Sequence, residues 1–324
     1  MQLRILTAAD VRLCMGMPAA IEAMKTAFAQ ISSGEAVIPD RVSIASGGGG
    51  VSLFMPGYLP REAHLAAKVV SVFEDNPSRG LPVIQGVVLV LDSTTGAPVA
   101  LMDGTYLTAL RTGAASGLAT DLLAVPDASV LTVFGAGPQA RTQVEAIRAV
   151  RPIREIRLVS RSTISAEVLA EELSDVDVRV MDDPGRAVRG AEVIVTATDS
   201  HEPVFPGRAT DPGVHVNAVG AFTPIMRELD GDFVTKAKVV VDDRAAVMSE
   251  AGDLIQAIGE GVFSFDAIHA ELGEVVTGAA VGRESSEEVT LFKSVGNAAQ
   301  DVAVACRVVV EAARADVGTV VELA

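Results

Sequence analysis

Cysteine is nearly missing from this chain of 324 residues: it has two, Cys14 and Cys306, which stand in no C-x-x-C or metal-type spacing. This argues against a disulfide framework and a zinc site, and a reducing cytoplasm fits. Basic residues are scarce as well, 26 Lys and Arg against 42 Asp and Glu for a formal charge of −16, and they form no cluster. That balance argues against a nucleic-acid partner or an anionic-membrane surface. The amino terminus, MQLRILTAADVRLCMGMP, has no basic stretch leading into a long apolar run, and no later segment offers about 18 uninterrupted apolar residues. Neither an export signal nor a membrane span is expected. His64, His201, His215 and His269 form no H-E-x-x-H or other paired spacing, and no G-x-S-x-G elbow occurs. The histidines are read as structural or surface groups, and no metal site is expected.

Apolar residues are plentiful, 49% of the total, and the length exceeds the usual size of a single core. Two domains are the natural reading. TAADVRLCMGMPAAIEAMKTAFAQISSGE carries apolar residues at helical spacing from Val11 to Ile31 behind a Thr or Asp cap, which predicts a helix pair. VSLFMPGYL, HLAAKVVSVF and GVVLVLDSTTGAPVALMDG are strand-like, the last as two runs joined by turn residues Asp92 to Gly96, so an antiparallel sheet is expected. The run SGGGG, Ser46 to Gly50, lacks the Lys-Ser or Lys-Thr of a phosphate loop and reads as a hairpin turn.

From Leu118 the pattern changes. SVLTVFGAG, EIRLVSR, DVRVM, AEVIVTAT, HVNAVG and AKVVVDD are short Val- and Ile-rich runs separated by helical segments such as PQARTQVEAIRAV. This predicts an α/β fold with a Rossmann-type doubly wound parallel sheet over residues 117–297, joined to an α+β domain over 1–116. The late apolar helix, residues 298–324, is assigned to the first domain. ELDGDFV and VDDRAAV hold paired acids that read as helix starts or loops, and neither needs a metal.

The strongest local signal is Gly135-Ala136-Gly137-Pro138-Gln139-Ala140, a G-x-G-x-x-A that follows a strand and opens a helix. Gly135 permits the tight turn, Gly137 lets backbone approach a pyrophosphate, and Ala140 allows close helix packing. At the end of the next strand, about 20 residues on, an acid would accept from a ribose 2′-hydroxyl. This chain has Ser160, Arg161, Ser162 and Thr163 there. A guanidinium among hydroxyls suits a 2′-phosphate, so NADPH is favoured over NADH; the alternative is a solvated surface arginine. In the first domain Lys68 in HLAAKVV and Arg111 in YLTALRTGAAS are cations in apolar stretches, with Arg41 after VIPD a weaker case. Each must be paired or face a ligand, and together they could hold a substrate carboxylate. The alternative for each is a buried ion pair.

Read together, PDRVSI, LFMPGY, AAKVVS, GLPVIQGVVLVLDSTTGAPVALMDG, LTALRTGAAS, VFGAGPQA, NAVGAFTP, MSEAGD and TLFKSVGNAAQD resemble the ornithine cyclodeaminase and mu-crystallin family across nearly the whole chain. The resemblance implies a Rossmann domain, an amino-terminal sheet domain that dimerises, and a nicotinamide cofactor acting on small α-amino or α-imino acids. It also implies that Arg41 and Arg111 lie near the substrate carboxylate, that Lys68 is the active-site lysine and that Met55 lines the substrate pocket. Thr112 beside Arg111, the Gly135 to Ala140 turn, Ser160 with Arg161, Thr196, Val219 and Ser294 match its cofactor positions.

One departure separates activities within that family. Ornithine cyclodeaminases carry an aspartate two residues after the Gly of NAVG and an acid two residues before the pocket Met; this chain has Phe222 and Leu53. Cyclising ornithine requires a group that deprotonates the δ-amine, and neither residue can. The expectation is therefore an NAD(P)H-dependent reductase of a small cyclic ketimine such as Δ1-pyrroline-2-carboxylate, with Phe222 shaping the pocket. The alternatives are ornithine cyclodeamination, alanine dehydrogenation, and a non-catalytic NADPH-dependent ligand-binding protein of mu-crystallin type.

Overall fold

The computed structural model describes residues 2–47 and 49–323. The chain divides into two compact units, residues 1–111 with 297–324, and residues 112–296.

In the first unit β1 (Gln2–Leu6) leads into α1 (Ala8–Cys14) and α2 (Met17–Ser32). A capping box between Thr7 and Asp10 starts α1, and Met17, Ala20, Ile21, Met24 and Phe28 give α2 one buried face at the helical period. Then come β2 (Val42–Ser46), β3 (Gly50–Tyr58), β4 (His64–Val72), β5 (Ile84–Asp92), β6 (Pro98–Asp103) and α3 (Gly104–Leu123). The division between the units falls inside α3, between Arg111 and Thr112. Ser46 faces Gly50 across the β2–β3 hairpin; Gly48 of the expected turn lies outside the described residues.

The second unit carries β7 (Val130–Phe134), α4 (Pro138–Val150), β8 (Glu155–Val159), α5 (Thr163–Glu172), β9 (Asp177–Val180), α6 (Pro184–Val188), β10 (Val193–Thr196) and β11 (His215–Ala218). It continues through α7 (Gly231–Lys236), β12 (Lys238–Val241), α8 (Arg244–Glu250), α9 (Gly252–Gly259), β13 (Ala270–Glu271), α10 (Leu272–Thr277) and β14 (Thr290–Lys293). The chain then returns to the first unit with α11 (Ala298–Ala315) and β15 (Thr319–Glu322).

The first unit's sheet has the order β15-β1-β6-β5-β4-β3-β2. The sequence pattern announces neither β1 nor β15, which pair with each other at one edge. Alternation along β4 buries Ala66, Lys68 and Val70 on one face, and α11 packs against β3 and β4. On the opposite face Val42, Phe54, Val69 and Val87 stand in one cross-strand row. Val42, Phe54 and Val87 remain 56, 39 and 43% exposed.

The second unit's sheet, β13-β12-β14-β11-β10-β7-β8-β9, is parallel throughout. Its order reverses between β7 and β10, which makes that gap the topological switch point where such sheets bind ligands beyond the strands' carboxyl ends. Apolar clusters cover both faces, one around Leu131, Val133, Val144 and Ile156, the other around Phe134, Val216, Phe233 and Leu254. The expected helix starts at Asp230 and Asp243 cap α7 and α8. Among the described residues no helix is long and apolar enough to cross a membrane, and no group of three or more His, Cys, Asp or Glu could hold a metal.

Candidate active site

In the first unit the charged side chains expected to meet a ligand converge on one acid. Lys68 projects from the buried face of β4, opposite Met55 on β3 and Val88 on β5. Its Nζ lies 2.7 Å from Asp301 Oδ2. Arg111, on α3, approaches Asp301 Oδ1 through Nε at 3.2 Å and donates from Nη1 to Gln300 Oε1 at 2.7 Å. All four side chains are buried. Two cations thus share one carboxylate, which leaves the cluster one positive charge in excess. Burial pulls the Lys68 ammonium down to about 8; Asp301 opposes that fall, while Arg111 and Arg41 add to it. Arg41 is therefore within electrostatic reach of Lys68. Met55 is buried with Val70 and Ala298, and Leu53 packs beside them.

Asp301 and Gln300 sit in the first turn of α11, whose N-cap is Asn297. Asn297 Nδ2 and Gln300 Nε2 are buried and make no hydrogen bond within the protein. Buried donors of this kind are met by a ligand or by water in folded proteins. The turn therefore offers two uncommitted donors beside two cations, a set suited to a small carboxylate.

In the second unit the glycine turn joins β7 to α4. Gly135 has φ 109°, and a Cβ there would lie 2.5 Å from Ala197 O, so both conformation and space demand glycine. Gly137 is the N-cap of α4 and supplies no side-chain cap. A Cβ at Gly137 would meet nothing within 4 Å, which leaves the amide end of this 13-residue helix open to an anion. Ala140 is fully buried, Ala136 and Pro138 flank the turn, and Gln139 Oε1 is buried without a partner. These features fit a dinucleotide pyrophosphate.

After β8, Ser160 Oγ accepts from Ser162 N at 3.2 Å, and Ser162 caps α5 by accepting from Ser165 N. Arg161 is 83% exposed and ion-paired with Asp199, itself 75% exposed. Thr112 is buried at the start of this unit. Thr196 and Ser294 turn their hydroxyls to protein carboxylates, Glu228 at 2.9 Å and Asp242 at 2.7 Å, and Val219 N donates to Thr196 O. Phe222, in the loop after β11, is 38% exposed. His215 is buried between Thr290 and Asn217, and burial drives its imidazole down to about 3. Structural use is the reading this supports.

Sequence reasoning missed two groups. One is Asn297, Gln300 and Asp301, although a lone acid among Ala and Val on a buried helix calls for a partner just as Lys68 does. The other is Glu228, fully buried, whose carboxylate accepts from Thr196, Thr198, Gly220 and Ala221 and so ties the loops after β10 and β11 together. Asp253 accepts from Glu228 N and pairs with buried Lys293.

Comparison with known proteins agrees over the full length. The family model described as ornithine cyclodeaminase/mu-crystallin family matches residues 1–316. A Δ1-pyrroline-2-carboxylate reductase of Bacillus cereus is 39% identical over 323 residues, covering 98% of this chain and 99% of the relative. The Thermococcus litoralis Δ1-pyrroline-2-carboxylate reductase, solved in complex with NADH and L-proline, superposes with a TM-score of 0.94 at 39% identity, covering 98% of this chain and 99% of that one. An archaeal alanine dehydrogenase, solved as a dimer with bound NAD, gives a TM-score of 0.94 at 36% identity with 100% of both chains covered. The chain belongs to the ornithine cyclodeaminase/mu-crystallin family.

Proposed function

We propose that this protein is an NAD(P)H-dependent reductase of a small cyclic ketimine, with Δ1-pyrroline-2-carboxylate reduced to proline as the leading reaction. The observation that carries this reading is the buried Lys68–Asp301–Arg111 cluster, with one acid between two cations. Its excess positive charge suits a substrate carboxylate, and Arg41 adds to it. Arg111 has Nη2 left to donate, and Asn297 and Gln300 each have a buried amide donor left over. The Gly135–Ala140 turn would hold a nicotinamide dinucleotide, whose reduced form would supply the hydride for imine reduction. Lys68 would give a proton to the nitrogen of a substrate that arrives neutral, whereas an iminium would keep its own. Burial has brought the Lys68 ammonium to about 8, near enough to neutrality to release that proton.

Neither Phe222 nor Leu53 offers a carboxylate to a cationic δ-amine. This is the ground for ranking ornithine cyclodeamination below imine reduction. Alanine dehydrogenation is kept as a second reading because the similar archaeal structure is an alanine dehydrogenase. The test is a panel of five- and six-membered cyclic ketimines, ornithine, and pyruvate with ammonia, each with NADPH and NADH. Fast oxidation of reduced cofactor with a cyclic ketimine is expected. Ammonia release from ornithine without added reductant would sink the reading, and saturable cofactor binding with no turnover would favour a ligand-binding protein.

For the cofactor, Ser160, Arg161 and Ser162 support a preference for NADPH, since the guanidinium can leave Asp199 for a 2′-phosphate. Arg161→Ala should weaken NADPH about tenfold or more and leave NADH unchanged, as read by fluorescence titration. Equal loss for both cofactors would remove the argument.

A homodimer is proposed from the exposed row of Val42, Phe54 and Val87, since apolar patches of this kind mark association surfaces, and from the dimer seen in the archaeal relative. Light scattering on the purified protein checks it. Free Cys14 and Cys306 are in keeping with a cytoplasmic enzyme, which cell fractionation would check.

A further inference from the structure

Asp301 has two oxygens and gives each to a different cation: Oδ2 to Lys68 at 2.7 Å, Oδ1 to Arg111 at 3.2 Å. Apolar side chains in place of all three charges would serve stability as well or better if none of them had work to do. The neighbouring Gln300 takes Arg111 Nη1, so the first turn of α11 fixes one edge of the guanidinium and leaves Nη2 for a ligand. The same turn receives the end of the Lys68 side chain from β4. Lys68 is flanked within its sheet by Met55 and Val88, which offer no charge. The charges that face it come from α11 through Asp301, from α3 through Arg111, and from the stretch before β2 through Arg41. Asp301 is the one anion in that group.

We propose that Asp301 is the positioning residue of the reductase site, holding Lys68 and Arg111 at the spacing a substrate carboxylate and imine require and keeping the Lys68 ammonium protonated, without touching substrate itself. The proposal rests on the ketimine-reductase reading. Burial and two arginines pull the Lys68 proton off; Asp301 alone among the charges around it resists. Replacing its charge moves the point at which Lys68 loses its proton to lower pH, and displacing its oxygens misplaces both cations.

The experiment is the pH dependence of kcat/KM for Δ1-pyrroline-2-carboxylate at saturating NADPH, on the intact enzyme and on Asp301→Asn and Asp301→Glu. Wild type is expected to lose activity above pH of about 8. Asp301→Asn should move that alkaline limb down by about one pH unit or more, with most of the lost activity recovered on the acid side. Asp301→Glu keeps the charge, so its limb should stay at the wild-type position while kcat/KM falls roughly tenfold. A folded Asp301→Asn enzyme with an unmoved limb would overturn the proposal. Should that variant fail to fold, wild-type kcat and KM in Asp301→Glu would overturn it instead. Wild type inactive on cyclic ketimines sinks the reductase reading and this inference with it; active wild type with indifferent Asp301 variants sinks the inference alone.

Discussion

Each unit buries one lysine–aspartate pair at the same separation, Lys68–Asp301 and Lys293–Asp253, both at 2.7 Å. Their surroundings are opposite. Around Lys293 acid is in excess: Glu228 lies beside Asp253, and the ammonium also donates to Ala221 O at 2.7 Å. Every partner there belongs to the fold, and the group ties the loops after β10 and β11 to β14. Around Lys68 cation is in excess, Arg111 sharing the acid and Arg41 adding to the field. A closed network commits all its hydrogen bonds to the protein, whereas one with surplus charge and unused donors is built for something that arrives later. The same ion pair is thus a closed fastener in one unit and, in the proposed function, half of a receptor in the other.

The largest expected separation between the two follows from removing each lysine. Lys68→Met should lower kcat/KM for the ketimine roughly a thousandfold while Asp301 keeps Arg111 as its partner, so that urea unfolding shifts little. Lys293→Met should do the reverse. It leaves Asp253 and Glu228 buried without their cation and costs about 3–5 kcal/mol in urea titration, with turnover of the folded fraction much less affected. If Lys293→Met abolished turnover at wild-type stability, the two pairs would not divide their labour in this way. A smaller effect comes from His215, buried without a carboxylate partner in the second unit. Burial brings its imidazole to about 3 in the fold, against an ordinary value of 6.5. Between those values the unfolded chain binds more protons. The contribution of neutral His215 is therefore complete above pH of about 6.5 and shrinks by about 1.4 kcal/mol per pH unit as pH falls toward 3. His215→Asn, though less stable overall, should show a flatter pH dependence of unfolding free energy over that window; identical slopes would mean the histidine is not held neutral.

Most of the parallel sheet, β7 to β12, was legible as short Val- and Ile-rich runs, whereas β13 and β14 contain neither residue; Gly135 was legible from the G-x-G-x-x-A turn, and the structure gives it φ 109° against Ala197 O. Lys68 and Arg111 were legible for the opposite reason, as charges out of place among apolar neighbours. Asp301 escaped because an acid in the first turn of a helix has an ordinary local explanation in the helix dipole. Its buried surroundings are set by β4 and α3, far away in sequence. Glu228, Asp253 and Lys293 escaped likewise, each lying in a segment whose polarity looks like loop or strand-end chemistry. β15 is a short edge strand and β1 lies between it and β6; their partners are far from them in sequence, so neither has a hairpin signal. Departures from local pattern could be read; charges that satisfy local pattern and also serve a distant one could not.

The position of α11 in the chain has a consequence for synthesis. Residues 112–296 form a contiguous unit, so the ribosome releases everything the parallel sheet needs before the first unit has received its last helix. Arg111 meets Asp301 across 190 residues of intervening chain, and Lys68 waits longer still. The newborn protein can thus own a finished parallel sheet while Lys68 and Arg111 still repel each other without a shared counter-ion. The arrival of α11 removes that repulsion, seals the face of β3 and β4, and completes the charge cluster in one event. A polypeptide interrupted before this helix would carry the glycine turn of the second unit while Lys68 and Arg111 lacked the acid they share.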